Sequence, residues 1–201
     1  SNNHSPALFM MNCGVPRMGF PCAGSWATYG LGSSSKDLPA FVVMSDPLGR
    51  GLPKGHAANW GAGFLPSVYQ GTYFRPKGDP IDNLHRPKEQ DASRQRRQLD
   101  LLSNLNRRDL SKNPFEEELA ARIESFELAY RMQSSAPEAL DISSEPEHLK
   151  NLYGLNQAKS KHFAAQCMMA RRLVESGVRF VQVTTSPGQP WDHHSDIRGG
   201  M

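Results

Sequence analysis

Apolar positions along the chain recur with two periods. Val178-Arg179-Phe180-Val181-Gln182-Val183 is an apolar, β-branched run between Gly177 and a Ser-Pro-Gly-Gln-Pro turn at 186–190, and it predicts a buried strand. Leu38 to Met44 predicts a second strand. Helical spacing governs much of the rest. Gln95 to Arg107 carries Leu99, Leu102 and Leu105. Asn113-Pro114-Phe115-Glu116 then combines a cap, a first-turn proline and a capping-box glutamate. The helix it opens runs to about Gln133, with Phe115, Leu119, Ile123, Phe126 and Tyr130 at spacings of 4, 4, 3 and 4, so one face is expected to be buried. Ser160 to Ser176 repeats the pattern with Phe163, Cys167, Ala170 and Val174, and Gly177 ends it.

Shorter elements follow from punctuation. Ser5 and Pro6 have the grammar of a helix start, Ser5 as cap and Pro6 as the first helical residue, with Gly14 as the stop. Gly24 to Gly32 predicts a short helix closed by glycines, and Glu145 to Tyr153 another ending at Gly154, after a proline-punctuated connection over Ala136 to Ser144. The span from Gly49 to Gly71 is glycine-rich and carries His56, Asn59, Trp60, Phe64 and Tyr69. It matches no phosphate-loop pattern, since Lys54 lacks a following Ser or Thr. Such a loop either lines a pocket for a polar ligand or packs as an irregular segment. The order of elements is α/β at both ends with a helical hairpin between, so the stretch at about 94–134 is expected to be an insertion or cap on a single α/β domain.

Composition narrows the function classes. With 23 basic and 20 acidic side chains the net charge is +3, too balanced to point to nucleic acid or a membrane surface. Arg94, Arg96, Arg97, Arg107 and Arg108 have Gln, Asp and Asn as neighbours without interleaved aromatics, which reads as a solvated helix face. No apolar run reaches the roughly 18 residues that a membrane span needs. Cys13, Cys22 and Cys167 lack metal-type spacing; a Cys13–Cys22 disulfide is geometrically possible, but an odd count favours free thiols. The chain opens without Met and closes inside a loop, so residues 1–201 are expected to be an internal fragment of one domain, itself inactive.

The candidate chemistry lies at two places. Trp191-Asp192-His193-His194 follows the 178–183 strand, and ligands gather at the carboxyl ends of strands in open α/β sheets. A carboxylate beside imidazoles suits zinc or a hydrolytic mechanism, although one such pair is less than the three or four ligands zinc takes and could simply hydrogen-bond a loop. Asp196 is a weaker member of the same cluster. His4 stands just ahead of the predicted helix start, where backbone N–H groups favour an anion. A serine nucleophile elbow, a catalytic cysteine motif and a His-Glu-x-x-His helix are all absent from the sequence.

Several collinear blocks resemble a known family. Asn3-His4-Ser5-Pro6-Ala7, the Gly24 to Gly32 run, Leu38 to Val43, Asn59 to Gly71, Tyr130 to Gln133, Ala170 to Gln182 and Trp191-Asp192-x-His194 look like successive blocks of the domain-of-unknown-function 1501 family, abundant in planctomycetes and related bacteria. That family is similar to sulfatases and alkaline phosphatases. The resemblance implies a three-layer fold with a mostly parallel central sheet, hydrolysis of sulfate or phosphate esters on small molecules or polysaccharides, and a divalent metal ion such as zinc or calcium. It implies export to the periplasm or beyond; the expectation of no nucleic-acid partner rests on the balanced charge. Carried over by position, Asp192 and His194 would be metal ligands, with His193 on a variable position. His4, Pro6 and Cys13-Gly14 reproduce the spacing around the sulfatase nucleophile, which places His4 as nucleophile or ligand and Ser5 at the anion-binding helix start. Neither a Cys nor a Ser convertible to formylglycine stands at the His4 position. The alternative the resemblance leaves open is a non-catalytic exported or surface-associated binding protein that keeps the fold.

Overall fold

A computed structural model describes residues 3–46, 48, 51–75, 79–81, 84–86, 91–112 and 117–185. Its described elements run α1 (His4–Cys13), α2 (Ala23–Leu31), β1 (Phe41–Ser45), β2 (Thr72–Phe74), α3 (Ala92–Lys112), α4 (Glu117–Leu140), α5 (Glu147–Tyr153), α6 (Lys161–Glu175) and β3 (Phe180–Thr184). The strands form one parallel sheet in the order β2-β1-β3. The fold is α/β, as the sequence pattern predicts.

β1 is central and every residue of it is buried, which explains why Phe41-Val42-Val43-Met44 is continuously apolar instead of alternating. Its two faces feed two cores. Val42 and Met44 pack with Leu38, Phe74, Met132, Ala136, Ala139 and Leu173, so α4 and α6 cover that side. Phe41 and Val43 pack with Cys22, Trp60 and Phe180, so α2 and the short 3-10 turn His56–Trp60 cover the other. The strand predicted from Leu38 begins only at Phe41. Ala40 precedes it, and its carbonyl accepts both the Arg179 and Phe180 N–H groups (3.0 and 3.1 Å) to start the pairing with β3.

β2, unpredicted, is three residues directly after the glycine-rich loop and has too little pattern of its own to be read. Contact with β1 sets it. Gly71 lies so close that a Cβ there would stand 2.6 Å from Val43 Cγ2, and its N–H donates to the Trp60 carbonyl at 2.9 Å. Gly24 plays the same part for α2: a Cβ would lie 2.5 Å from the Phe41 ring, which meets Phe180 edge-to-face at 5.2 Å.

Three expectations about helices are corrected. Asn3, not Ser5, is the N-cap of α1, so Ser5 is the second helical residue and Pro6 the third. Pro6 still falls among the first-turn positions whose N–H groups have no intrahelical partner. Second, α4 does not stop near Gln133 but continues through Pro137 to Leu140. The Arg172 guanidinium holds its last turn, donating to the Glu138 and Ala139 carbonyls at 3.0 and 3.1 Å. Third, the buried faces are turned from those predicted. In α4 the line against the sheet is Leu128, Met132, Ala136 and Ala139; of the predicted face Ile123 is buried, as expected, while Phe126 is 43% exposed. Phe126 and Tyr130 face α3 instead, where Arg96 stacks over the Tyr130 ring at 5.0 Å. In α6 the buried residues are Ala164, Gln166, Met168 and Leu173, and Phe163 and Val174 lie outside. The capping phrase at 113–116 lies outside the described residues.

α5 and the turn before it are tied to α6 by charge. Glu145, buried at 7% exposure, accepts from both Arg171 and Arg172, and these two guanidinium groups hold its carboxyl below the usual carboxylate range. α3 is fastened to α4 by Arg96, which donates to Glu127 through both terminal nitrogens and also pairs with Asp100. Among the described residues no helix is long and apolar enough to cross a membrane.

Candidate functional site

All three strands run parallel, so their carboxyl ends lie on one edge, where an α/β sheet presents its site. β1 ends in Ser45 and then Asp46, both fully buried. The Asp46 N–H donates to the Thr184 carbonyl at 3.1 Å, extending the β1–β3 pairing one residue past the strand. Asp46 has φ +29, in the left-handed region that a non-glycine residue rarely takes. Asp46 thus holds an uncommon backbone conformation at the end of the central strand, and such strain clusters at functional sites.

The neighbours are polar and incompletely bonded. Gln166 of α6 is 3% exposed and donates to the Ser45 carbonyl at 3.5 Å, while its Oε1 has no hydrogen-bond partner. Thr184 Oγ1, at the end of β3, is likewise buried without a partner. A buried amide oxygen and a buried hydroxyl that each lack a partner near the strand end are unusual in a native interior, and each is a place that a water or a ligand group would satisfy. Toward β2, Ser45 Oγ donates to the Tyr73 hydroxyl at 3.4 Å.

α1 carries His4 and Ser5 adjacent and half-buried in its first turn, which holds no acidic side chain. The helix is fixed to the 3-10 turn below it. Phe9 packs against Gly55, and Asn12 donates to Asn59 Oδ1 at 3.0 Å. Asn59, fully buried, donates in turn to the Lys54 and His56 carbonyls at 2.9 and 3.1 Å. The notable Asn of the loop thus orders the loop itself. Cys13 and Cys22 are free thiols; burial first, and then Cys22, pushes the Cys13 thiol up.

Asp192, His193, His194 and Asp196 lie outside the described residues, eight or more positions beyond Thr184. Among the described residues no group of three or more His, Cys, Asp or Glu side chains gathers in metal-binding fashion. The structure sets His4 and Ser5 in the first turn of α1 and places Asp46 beside Thr184 at the end of β3. Asp46, Gln166 and Thr184 are the residues that sequence reasoning passed over. Asp46 had a signal, because a carboxylate directly after a buried apolar strand is the same grammar that singled out Asp192.

A family model described as protein of unknown function (DUF1501) matches residues 1–201. No curated protein and no solved structure matches the chain.

Proposed function

The chain belongs to the DUF1501 family, and from that premise we propose that the complete protein is a metal-dependent hydrolase of sulfate or phosphate esters, centred at the carboxyl edge of the β2-β1-β3 sheet. The observation that carries this reading is the buried Asp46 beside the unpartnered Gln166 Oε1 and Thr184 Oγ1. Hard or borderline divalent ions take carboxylate oxygen and imidazole nitrogen, the donors that Asp192 and His194 supply. Asp192 and His194 would hold the ion. When bound, it would polarise the ester oxygens that gain charge as the bond breaks.

The remaining work belongs to the chain's own groups. The first turn of α1, free of acidic side chains, would hold the anionic sulfuryl or phosphoryl group through its N-terminal dipole at Ser5. His4, the first residue of that turn, would serve as nucleophile or as a further ligand. Asp46 is kept dry by the surrounding core and would hold the strand-end groups in position. Export and a planctomycete-type origin belong to the same reading.

The test is bound metal measured on the protein produced from its complete gene, with turnover of aryl sulfate and aryl phosphate esters by wild type and Asp192→Ala. Metal binding and turnover that both depend on Asp192 support the reading. A protein that binds no metal and turns over neither ester would instead be a non-catalytic binding protein.

A further inference from the structure

Two of the three cysteines meet where a lightly buried helix joins the core. Cys13 is the last residue of α1 and Cys22 is the N-cap of α2, with eight residues between them. Among its described residues α1 buries only Phe9, whereas α2 is seated on the Phe41 ring through Gly24. Both cysteines converge on one turn. Asn12, next to Cys13, donates to Asn59 Oδ1 at 3.0 Å, and the Cys22 N–H donates to the carbonyl of Gly61, where the same 3-10 turn ends, at 3.2 Å. Cys13 packs against the core cluster that holds Cys22, Phe41, Val43 and Trp60. Gly14, at φ +77, turns the chain out of α1 directly after Cys13. Cys167 lies elsewhere, in α6, which covers the opposite face of the sheet. The odd count that favours free thiols thus resolves into a pair and a single residue with the sheet between them.

We propose that Cys13 and Cys22 are a disulfide-forming pair, a covalent latch that fixes the end of α1 to the start of α2. The reaction is thiol–disulfide exchange with a small-molecule disulfide. Cys13, half-buried, is the attacking sulfur; it bonds to one sulfur of the oxidant and releases the other as a thiol. Cys22, 1% exposed with its Sγ 3.2 Å from the Ser25 hydroxyl, then displaces the second thiol from the mixed disulfide. The two protons and two electrons that the cysteines lose end on the two released thiols. Burial, with Cys22 adding to it, pushes the Cys13 thiol up, so thiolate is scarce at neutral pH, which disfavours a nucleophile or a metal ligand at this place. The same shift makes Cys13 a poor leaving group, so the bond forms slowly and, once made, resists exchange. Among the described residues no third His, Cys, Asp or Glu gathers with the pair. The latch acts on the helix that carries His4 and Ser5 in its first turn, yet it is independent of Asp46 and Asp192 and stands whether or not the protein hydrolyses an ester.

In the experiment, the protein from its complete gene is fully reduced, exposed to glutathione disulfide at low protein concentration, alkylated, and cut with trypsin without further reduction. The peptide ending at Arg17 is expected to be joined to residues 18–36 by a disulfide, while residues 162–171 carry alkylated Cys167. Cys13 and Cys22 found alkylated or glutathionylated instead, or Cys167 joined to either of them, overturns the proposal. Amide hydrogen exchange reads the latch itself. Exchange in α1 is expected to slow about tenfold on oxidation of wild type and to stay unchanged in Cys13→Ser. Cys13 is half-buried whereas Cys22 is in the core, so Cys13→Ser is the variant that keeps the fold. A bond that forms while α1 exchanges as fast as before overturns the role of latch.

Discussion

At the scale of single residues, close approach and buried polarity decide what each position tolerates. Gly24 has no alternative because the Phe41 and Phe180 rings occupy the space of its missing side chain, at 2.5 and 2.8 Å from an added Cβ. Gly24→Ala is expected to cost about 1–3 kcal/mol, read as a lower midpoint in urea unfolding, since α2 must lift off the sheet to admit the methyl group. An unchanged midpoint would mean that α2 is not seated on Phe41. Asp46 makes the opposite case, a residue whose cost the fold bears. Asp46→Asn keeps the shape and removes the charge, and in the complete protein it is expected to weaken metal binding or ester turnover about 10–100-fold while the protein stays folded. Loss of folding with no separate effect on the site would make Asp46 merely structural. Little at this scale was legible in advance. Asp46 follows its strand in plain view, but burial, a left-handed φ and orphaned neighbours are properties of the packed chain.

At the scale of elements, helix existence was readable and helix orientation was not. Period and punctuation located α2, α5 and α6 to within a residue or two, because Gly32, Gly154 and Gly177 stop them as glycines should. The buried stripes came out rotated because α4 and α6 each serve more than one neighbour. α4 uses its small Ala136 and Ala139 against the sheet core and gives Phe126 and Tyr130 to α3. Polar contacts complete the choice, since Arg171 and Arg172 must reach Glu145. These carboxylates make stability depend on pH. The folded-state pKa values of Glu127 and Glu145 are lowered by their arginine partners, so the stabilisation is complete above the ordinary glutamate range and is lost as pH falls through the lowered values. Thermal unfolding is therefore expected to shift downward below about pH 4. Glu127→Gln should remove about 1 kcal/mol at pH 7 and flatten part of that acid limb. A variant whose acid limb matches wild type would show that the Arg96–Glu127 pair is idle.

At the scale of the whole molecule, the parallel sheet turns separate sequence features into one edge. β1 and β3 are far apart in the chain, yet Ser45 pairs with Thr184, so Asp46 lies beside the end of β3. The α/β class was legible because β1 is continuously apolar and the helices are periodic, although β3 begins only at Phe180 and is half-buried where its apolar run predicts a buried strand. β2 was not, being three residues whose strand character depends on β1. The central claim is that this edge is a metal-dependent ester-hydrolysing centre. It is tested most directly by following aryl sulfate and aryl phosphate turnover by the protein from its complete gene, before and after chelation and divalent-ion restoration, in wild type and Asp192→Ala. The account predicts turnover by wild type that chelation abolishes and the ion restores, with Asp192→Ala slow throughout. Turnover indifferent to both chelation and Asp192, or none under any condition, would contradict it.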